Sequence, residues 1–278
     1  MRNINVMEGA DPFILAYNNK YYLFFTSLED GFICYSSSDL KEWKSEGYAL
    51  KRGEGVMGDK WFWAPEIIYY KDTFYMVYVA NEHLSIAISK NPEGPYFSSK
   101  DTFIGNTNMI DGHFYLDDDG KMYLFYVKFT DGNVIYMAEM NEEMNDIKLE
   151  TEKFVIKAEE PLEIISGYKV AEGPFILKHH NKYYLTYSCN HYISPDYAIF
   201  CAVSDKISGP YIRVKDNPIY HKDEEICGVG HHSFFRRFSD NHLMCVFHRH
   251  KSFKEHSPRV ICIAEADFDD ADNLIIYK

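Results

Sequence analysis

Apolar and polar positions alternate with a period close to two along most of the chain, in short runs separated by polar turn residues. One arrangement recurs five times: a polar turn, then an aromatic-rich alternating run. The copies are NNKYYLFFTS from Asn18, KDTFYMVYVA from Lys71, DDGKMYLFYV from Asp118, HNKYYLTYSC from His180 and SDNHLMCVFH from Ser239. Each copy follows a shorter apolar run: Pro12 to Tyr17, Glu66 to Tyr70, Gly112 to Leu116, Gly173 to Lys178 and His232 to Phe238. Each precedes a third run, such as Phe32 to Ser36 or Tyr197 to Ser204, and weaker fourth runs, such as Tyr211 to Lys215 and Leu274 to Tyr277, close the units. Period-two alternation rich in aromatic and β-branched residues reads as strand, and helical periodicity is almost absent. Four strands repeated five times predict an all-β fold, a five-bladed β-propeller of four antiparallel strands per blade spanning 1–278. A two-sheet sandwich would not repeat near this interval.

In such a ring the first strand of each unit is innermost, and the five inner strands begin at one face. Because every unit starts with its inner strand and Leu274 to Tyr277 supplies an outer strand, the ring is expected to close by packing, with residues 1–8 outside the last blade. The polar residues at the five inner-strand starts are Asp11 in GADPF, Glu66 in WAPEI, Asp111 in MIDGHF, Glu172 in VAEGPF and His231 in GHHSF. Four carboxylates and a histidine opening apolar strands at equivalent positions are costly unless used. Convergent carboxylates suit metal binding or acid–base catalysis. A dedicated calcium loop would carry a DxDxDG cluster, and the nearest stretch, DDDG at 117–120, falls in a hairpin turn. Like charges held close push one pKa up, giving a protonated acid beside an ionised base. With aromatic walls, such a pair suits glycosidic-bond cleavage. Trp61, Phe62 and Trp63 stand just before Glu66 and can supply a wall.

Charge and composition narrow the partners. Lys and Arg total 29 against 42 Asp and Glu, a net charge of −13, which argues against nucleic acid and anionic membrane. The chain has 23 Tyr and 20 Phe but no apolar run long enough for a membrane helix. The start lacks an apolar signal segment, so a cytoplasmic location is expected. Six cysteines without CxxC spacing, most inside apolar runs, are expected to be reduced and buried. His242, His248, His250 and His256 lie close together without a zinc spacing; His242 and His256 read as solvated or hairpin residues, and His248, after an apolar strand, is a minor candidate to face the site. There is no GxSxG, P-loop or GxGxxG motif.

Taken together, the N-terminal ADP, WAPE, a central IDG, AEGP and GxGHxS resemble glycoside hydrolase family 43, in order and spacing from Gly9 to Asp269. The resemblance implies a five-bladed propeller that hydrolyses β-xylosides, α-L-arabinofuranosides or arabinan with inversion. It implies Asp11 as general base, Glu172 as general acid, and Asp111 as the group that raises and orients that acid. It also implies Arg259 as a substrate-binding arginine. His231 would then lie at the channel centre, where some members hold a water-bridged calcium ion; no cofactor is otherwise required. Trp63 completes the expected sugar-binding set. No C-terminal β-sandwich is expected after the propeller, which bears on xylosidase action. The competing readings are a non-catalytic carbohydrate-binding propeller and a related five-bladed enzyme acting on another sugar.

Overall fold

The computed structural model describes residues 4–105 and 107–278. The chain opens with β1 (Ile4–Glu8). Blade 1 comes next as β2 (Ala10–Tyr17), β3 (Lys20–Thr26), β4 (Gly31–Ser37) and β5 (Lys44–Lys51). Blade 2 is β6 (Trp63–Tyr70), β7 (Thr73–Ala80), β8 (His83–Ser89) and β9 (Phe97–Ser98); blade 3 is β10 (Met109–Leu116), β11 (Met122–Phe129), β12 (Asn133–Glu139) and β13 (Lys153–Lys157). Blade 4 is β14 (Ala171–His179), β15 (Lys182–Cys189), β16 (Ala198–Ser204) and β17 (Ile212–Arg213); blade 5 is β18 (Gly230–Arg236), β19 (Leu243–Arg249), β20 (Val260–Phe268) and β21 (Leu274–Ile276). Each blade is an antiparallel meander with its first strand innermost, so the predicted five-bladed propeller is the observed fold. Helix among the described residues is limited to two 3₁₀ turns, Leu149–Thr151 and Pro161–Glu163. No helix among them is long and apolar enough to cross a membrane.

The alternation of the aromatic-rich second strands explains the ring. Tyr22 and Phe24 of β3 pack against Phe74, Met76 and Tyr78 of blade 2, while Tyr21, Leu23 and Phe25 point the other way, onto Met244, Val246 and Ile261 of blade 5. Blades 3 and 4 repeat the pattern: Tyr123, Phe125 and Val127 meet Tyr183, Leu185 and Tyr187. A strand buried on both faces reads as aromatic and β-branched at nearly every position, which is why these five runs are the strongest signal in the sequence. Five apolar clusters result, one between each pair of neighbouring blades. All six cysteines lie buried and unbonded to one another.

Ring closure departs from the expectation of packing alone. β1 pairs antiparallel with β20, Ile4 opposite Ile263 and Glu8 opposite Val260, so residues of the 1–8 segment do form a strand in the last blade. β21 occupies the other half of the same edge, with Phe268 opposite Leu274. The fourth position of blade 5 is thus shared by the two ends of the chain. Val6 and Met7 pack into the cluster between blades 5 and 1. The chain crosses from one blade to the next at Gly9, where a Cβ would collide with the Phe25 ring and Ile261.

Candidate active site

Every inner strand carries a β-bulge near its start. The registers shift between Ala10 and Phe13, Trp63 and Glu66, Ile110 and His113, Glu172 and Phe175, and Gly230 and Ser233. At each bulge one residue takes positive φ: Asp11 (51°), Ala64 (45°), Asp111 (55°), Gly173 (55°) and His231 (43°). Left-handed backbone at a residue with a Cβ is unfavourable and persists where surrounding structure enforces it; bulges of this kind re-aim side chains. Here they turn Asp11, Asp111 and His231 toward the axis, where they line the central channel.

This geometry corrects the expectation of five equivalent polar positions. Asp11, Asp111 and His231 share one position, whereas Ala64 and Gly173 hold it in blades 2 and 4. Glu172 stands one residue before the bulge position and still reaches the mouth. Glu66 stands two residues after it and lies deeper. Its carboxylate meets His113 Nδ1 at 2.9 Å and accepts the Phe114 amide at 2.9 Å. The Ile176 amide donates to His113 Nε2 at 3.0 Å, so Glu66 and His113 tie blades 2, 3 and 4 together inside the channel.

The remaining acids are buried and differently supported. Burial alone would raise Asp11, but the Arg259 guanidinium, His231, His248 and the Thr26 hydroxyl hold its carboxyl well below the usual range. Arg259 Nη1 lies 3.1 Å from Asp11 Oδ1 and His231 Nδ1 lies 3.3 Å from it. The Asp11 amide donates to Nδ1 of fully buried His248 at 3.1 Å. Glu172 is pushed the other way, up to about 7, by burial and then by the charge of Asp111; His231, Tyr197 and Asn133 oppose the shift. The Tyr197 hydroxyl donates to Glu172 Oε1 at 2.8 Å and Asn133 Nδ2 to Oε2 at 2.7 Å. Asp111 is also raised, by burial and by Asp11, although it accepts the Gly173 amide at 3.1 Å. Burial disfavours the charged form of His231, but Asp11, Asp111 and Glu172 outweigh it and raise its pKa. Asp11 is therefore ionised while Glu172, at the same mouth, holds its proton until the pH rises through about 7.

Trp63 stacks on exposed Trp61 with ring centroids 5.9 Å apart and planes at 19°. Both border a cavity of about 710 Å³ that also takes in Arg52, Lys60, Glu29 and Arg259, and Arg259 reaches from it to Asp11. Phe62 is fully buried core, stacked on Tyr78, and takes no part. The residues that sequence reasoning missed, Asn133 and Tyr197, begin or immediately precede the third strands of blades 3 and 4, as Arg259 does in blade 5. Third strands start at the same face as inner strands, so their first residues form a second set of side chains at the mouth.

The central channel has room for about 20 Å³ of solvent, which is roughly one water. Calcium requires about six to eight oxygens. Asp11 is engaged by Arg259 and Glu66 by His113. Among the described residues, the one trio of potential ligands within 4.8 Å of one another is His179, His180 and Asp272, at the opposite face. The residues around His231 as arranged do not fit a hydrated calcium ion.

Two carboxyl groups with pKa values driven apart, beside stacked tryptophans, suit glycosidic-bond hydrolysis. Fold and site together define a carbohydrate-cleaving five-bladed propeller. The model for glycosyl hydrolases family 43 matches residues 4–273, and the chain belongs to that family. A crystal structure of an endo-1,4-β-xylanase from Bacteroides thetaiotaomicron is 39% identical, with a TM-score of 0.94, covering 100% of this chain and 96% of that one. A thermostable family-43 glycoside hydrolase is 33% identical, with a TM-score of 0.91, covering 98% of this chain and 94% of that one. The β-D-galactofuranosidase xynD of Aspergillus niger is 23% identical over 96% of this chain and 81% of its own length.

Proposed function

We propose that the protein hydrolyses β-xylosidic or α-L-arabinofuranosidic bonds of hemicellulose-derived oligosaccharides with inversion at the anomeric carbon. Asp11 is the general base: ionised and held by Arg259, it takes a proton from the attacking water. Glu172 is the general acid, protonated near neutrality, and gives its proton to the departing glycosidic oxygen. Asp111 keeps that acid protonated by its charge. Arg259, His231 and Trp63 bind and orient the sugar. The observation that carries the reading is the divergence of two buried acids at one mouth, Asp11 pushed down and Glu172 up to about 7.

Nitrophenyl β-xyloside, nitrophenyl α-L-arabinofuranoside and linear arabinan test it, with the β-D-galactofuranoside as the competing substrate. Hydrolysis of one of the first three is expected, and Asp11→Ala should lower kcat by about a thousandfold even with the activated aryl leaving group. Glu172→Gln should lose less on that substrate, because nitrophenolate needs little protonation. Binding of arabinan without hydrolysis would instead favour a carbohydrate-binding propeller.

A further inference from the structure

Two loops on the mouth face of blade 4 carry an unusual surface. The segments 158–170 and 190–197 expose Leu162 (50%), Ile165 (54%), Tyr168 (56%), Tyr192 (40%) and Ile193 (44%). Several exposed apolar side chains on two neighbouring loops are a candidate binding surface. Its base is rigid. Asn190, fully buried, donates to the carbonyls of Leu162 and Asp196, accepts the Ser166 amide, and sends its own amide to Glu163. Glu163 is itself buried against Arg213 at 2.7 Å and the Tyr187 hydroxyl at 2.7 Å. The exposed side chains stand on a floor of satisfied hydrogen bonds.

The rings on this floor form a connected row. Tyr168 lies 4.9 Å from His191, and His191 lies 4.7 Å from Tyr192. Arg259, which holds Asp11, sits over the Tyr192 ring at 5.0 Å. His250 Nε2 pairs with the Tyr192 carbonyl at 2.7 Å and fixes the inner end of the row. Burial lowers the pKa of His191, so its ring is a neutral, stackable face at working pH. The row therefore begins at the reaction site and runs outward.

Its direction is set by where both loops end. The first runs straight into Glu172; the second ends at Tyr197, whose hydroxyl holds Glu172. The shelf thus reaches the mouth by two routes, through Tyr192 against Arg259 and through the loops that lead to Glu172 and its partner Tyr197. Trp61 and Trp63 border Arg259 as well, in the cavity beside the mouth.

We propose that Tyr168, His191 and Tyr192 form a shelf at the mouth that stacks pentose residues adjoining the one being cleaved, making the enzyme selective for oligosaccharides over single glycosides. This rests on the hydrolase reading of the mouth. The apolar C–H face of a sugar ring packs on an aromatic face, and loss of one well-placed aromatic contact typically costs about tenfold in affinity.

The experiment compares kcat/KM on the nitrophenyl glycoside that the enzyme prefers with kcat/KM on oligosaccharides of the same sugar, two to five residues long. In the wild type the value should rise with chain length. In Tyr168→Ala that rise should be cut about tenfold, mainly through KM, while the nitrophenyl glycoside changes less than about threefold; Tyr168→Phe should restore the rise. A wild-type value flat with chain length, or a rise untouched in Tyr168→Ala, overturns the shelf and leaves the hydrolase reading intact. Should neither an aryl glycoside nor linear arabinan be cleaved, the hydrolase reading fails by itself. The shelf is then read by retardation of the protein in native gels containing linear arabinan or arabinoxylan. Retardation that Tyr168→Ala abolishes supports it, and its absence, or its persistence in that variant, overturns it.

Discussion

Asp11 and Glu172 are both carboxyl groups in the same dry mouth, and their neighbours alone separate them. Arg259 and two histidines surround Asp11, whereas Glu172 has Asp111 as its strongest charged neighbour and neutral donors, Tyr197 and Asn133, on its oxygens. These neighbours set the sign of the pH dependence. In the proposed mechanism Glu172 must keep its proton, so the rate should fall as pH rises through about 7. The same mechanism needs Asp11 ionised, and its depressed pKa places the acid limb far below that. Asp111→Asn removes the negative charge that raises Glu172, so the alkaline limb should move to lower pH; an unmoved limb in a pH–rate profile would count against this coupling. At this scale the sequence exposed the acids, His231 and Arg259 through their motifs. It did not reveal Asn133, Tyr197 or the support of Asp11 by His248, because their roles depend on which strand end faces which, across as many as 237 residues of chain.

The element that decides the site is the bulge at the head of each inner strand. A bulge inserts a residue and flips the facing of the residues after it, so counting along WAPEI or VAEGPF cannot by itself say which residue faces the axis. A signal was available. The positive-φ residue is followed by Pro12, Pro65, Gly112 and Pro174 in four blades, residues at home where a strand loses its ladder. Aligning on that mark would have put Ala64 and Gly173, not Glu66 and Glu172, opposite Asp11. β1 escaped for another reason: INVME carries no aromatic repeat, and its partner β20 lies at the far end of the chain. Its removal gives a clear expectation. A chain starting at Met7 loses the Ile4 and Asn5 pairings and the Val6 packing, which should cost about 3 kcal/mol. Thermal unfolding should then show a fall in Tm of roughly 6–12 °C. An unchanged Tm would mean that side-chain packing alone closes the ring.

For the whole molecule, five apolar interfaces make a stiff ring, and stiffness is what allows strained bulges and buried acids to persist at its centre. The five-fold repeat was legible because each second strand is buried on both faces and so writes its position into the sequence. In the proposed mechanism the acids work in opposition: Asp11 comes from blade 1 and Glu172 from blade 4, and inversion requires room for a water at Asp11. The configuration of the first sugar released tests that arrangement. Proton NMR of the preferred aryl glycoside, recorded from the first minutes of hydrolysis and before mutarotation, should show the anomer opposite to that of the substrate. First release of the same anomer would mean a covalent glycosyl-enzyme and would contradict Asp11 as a water-activating base.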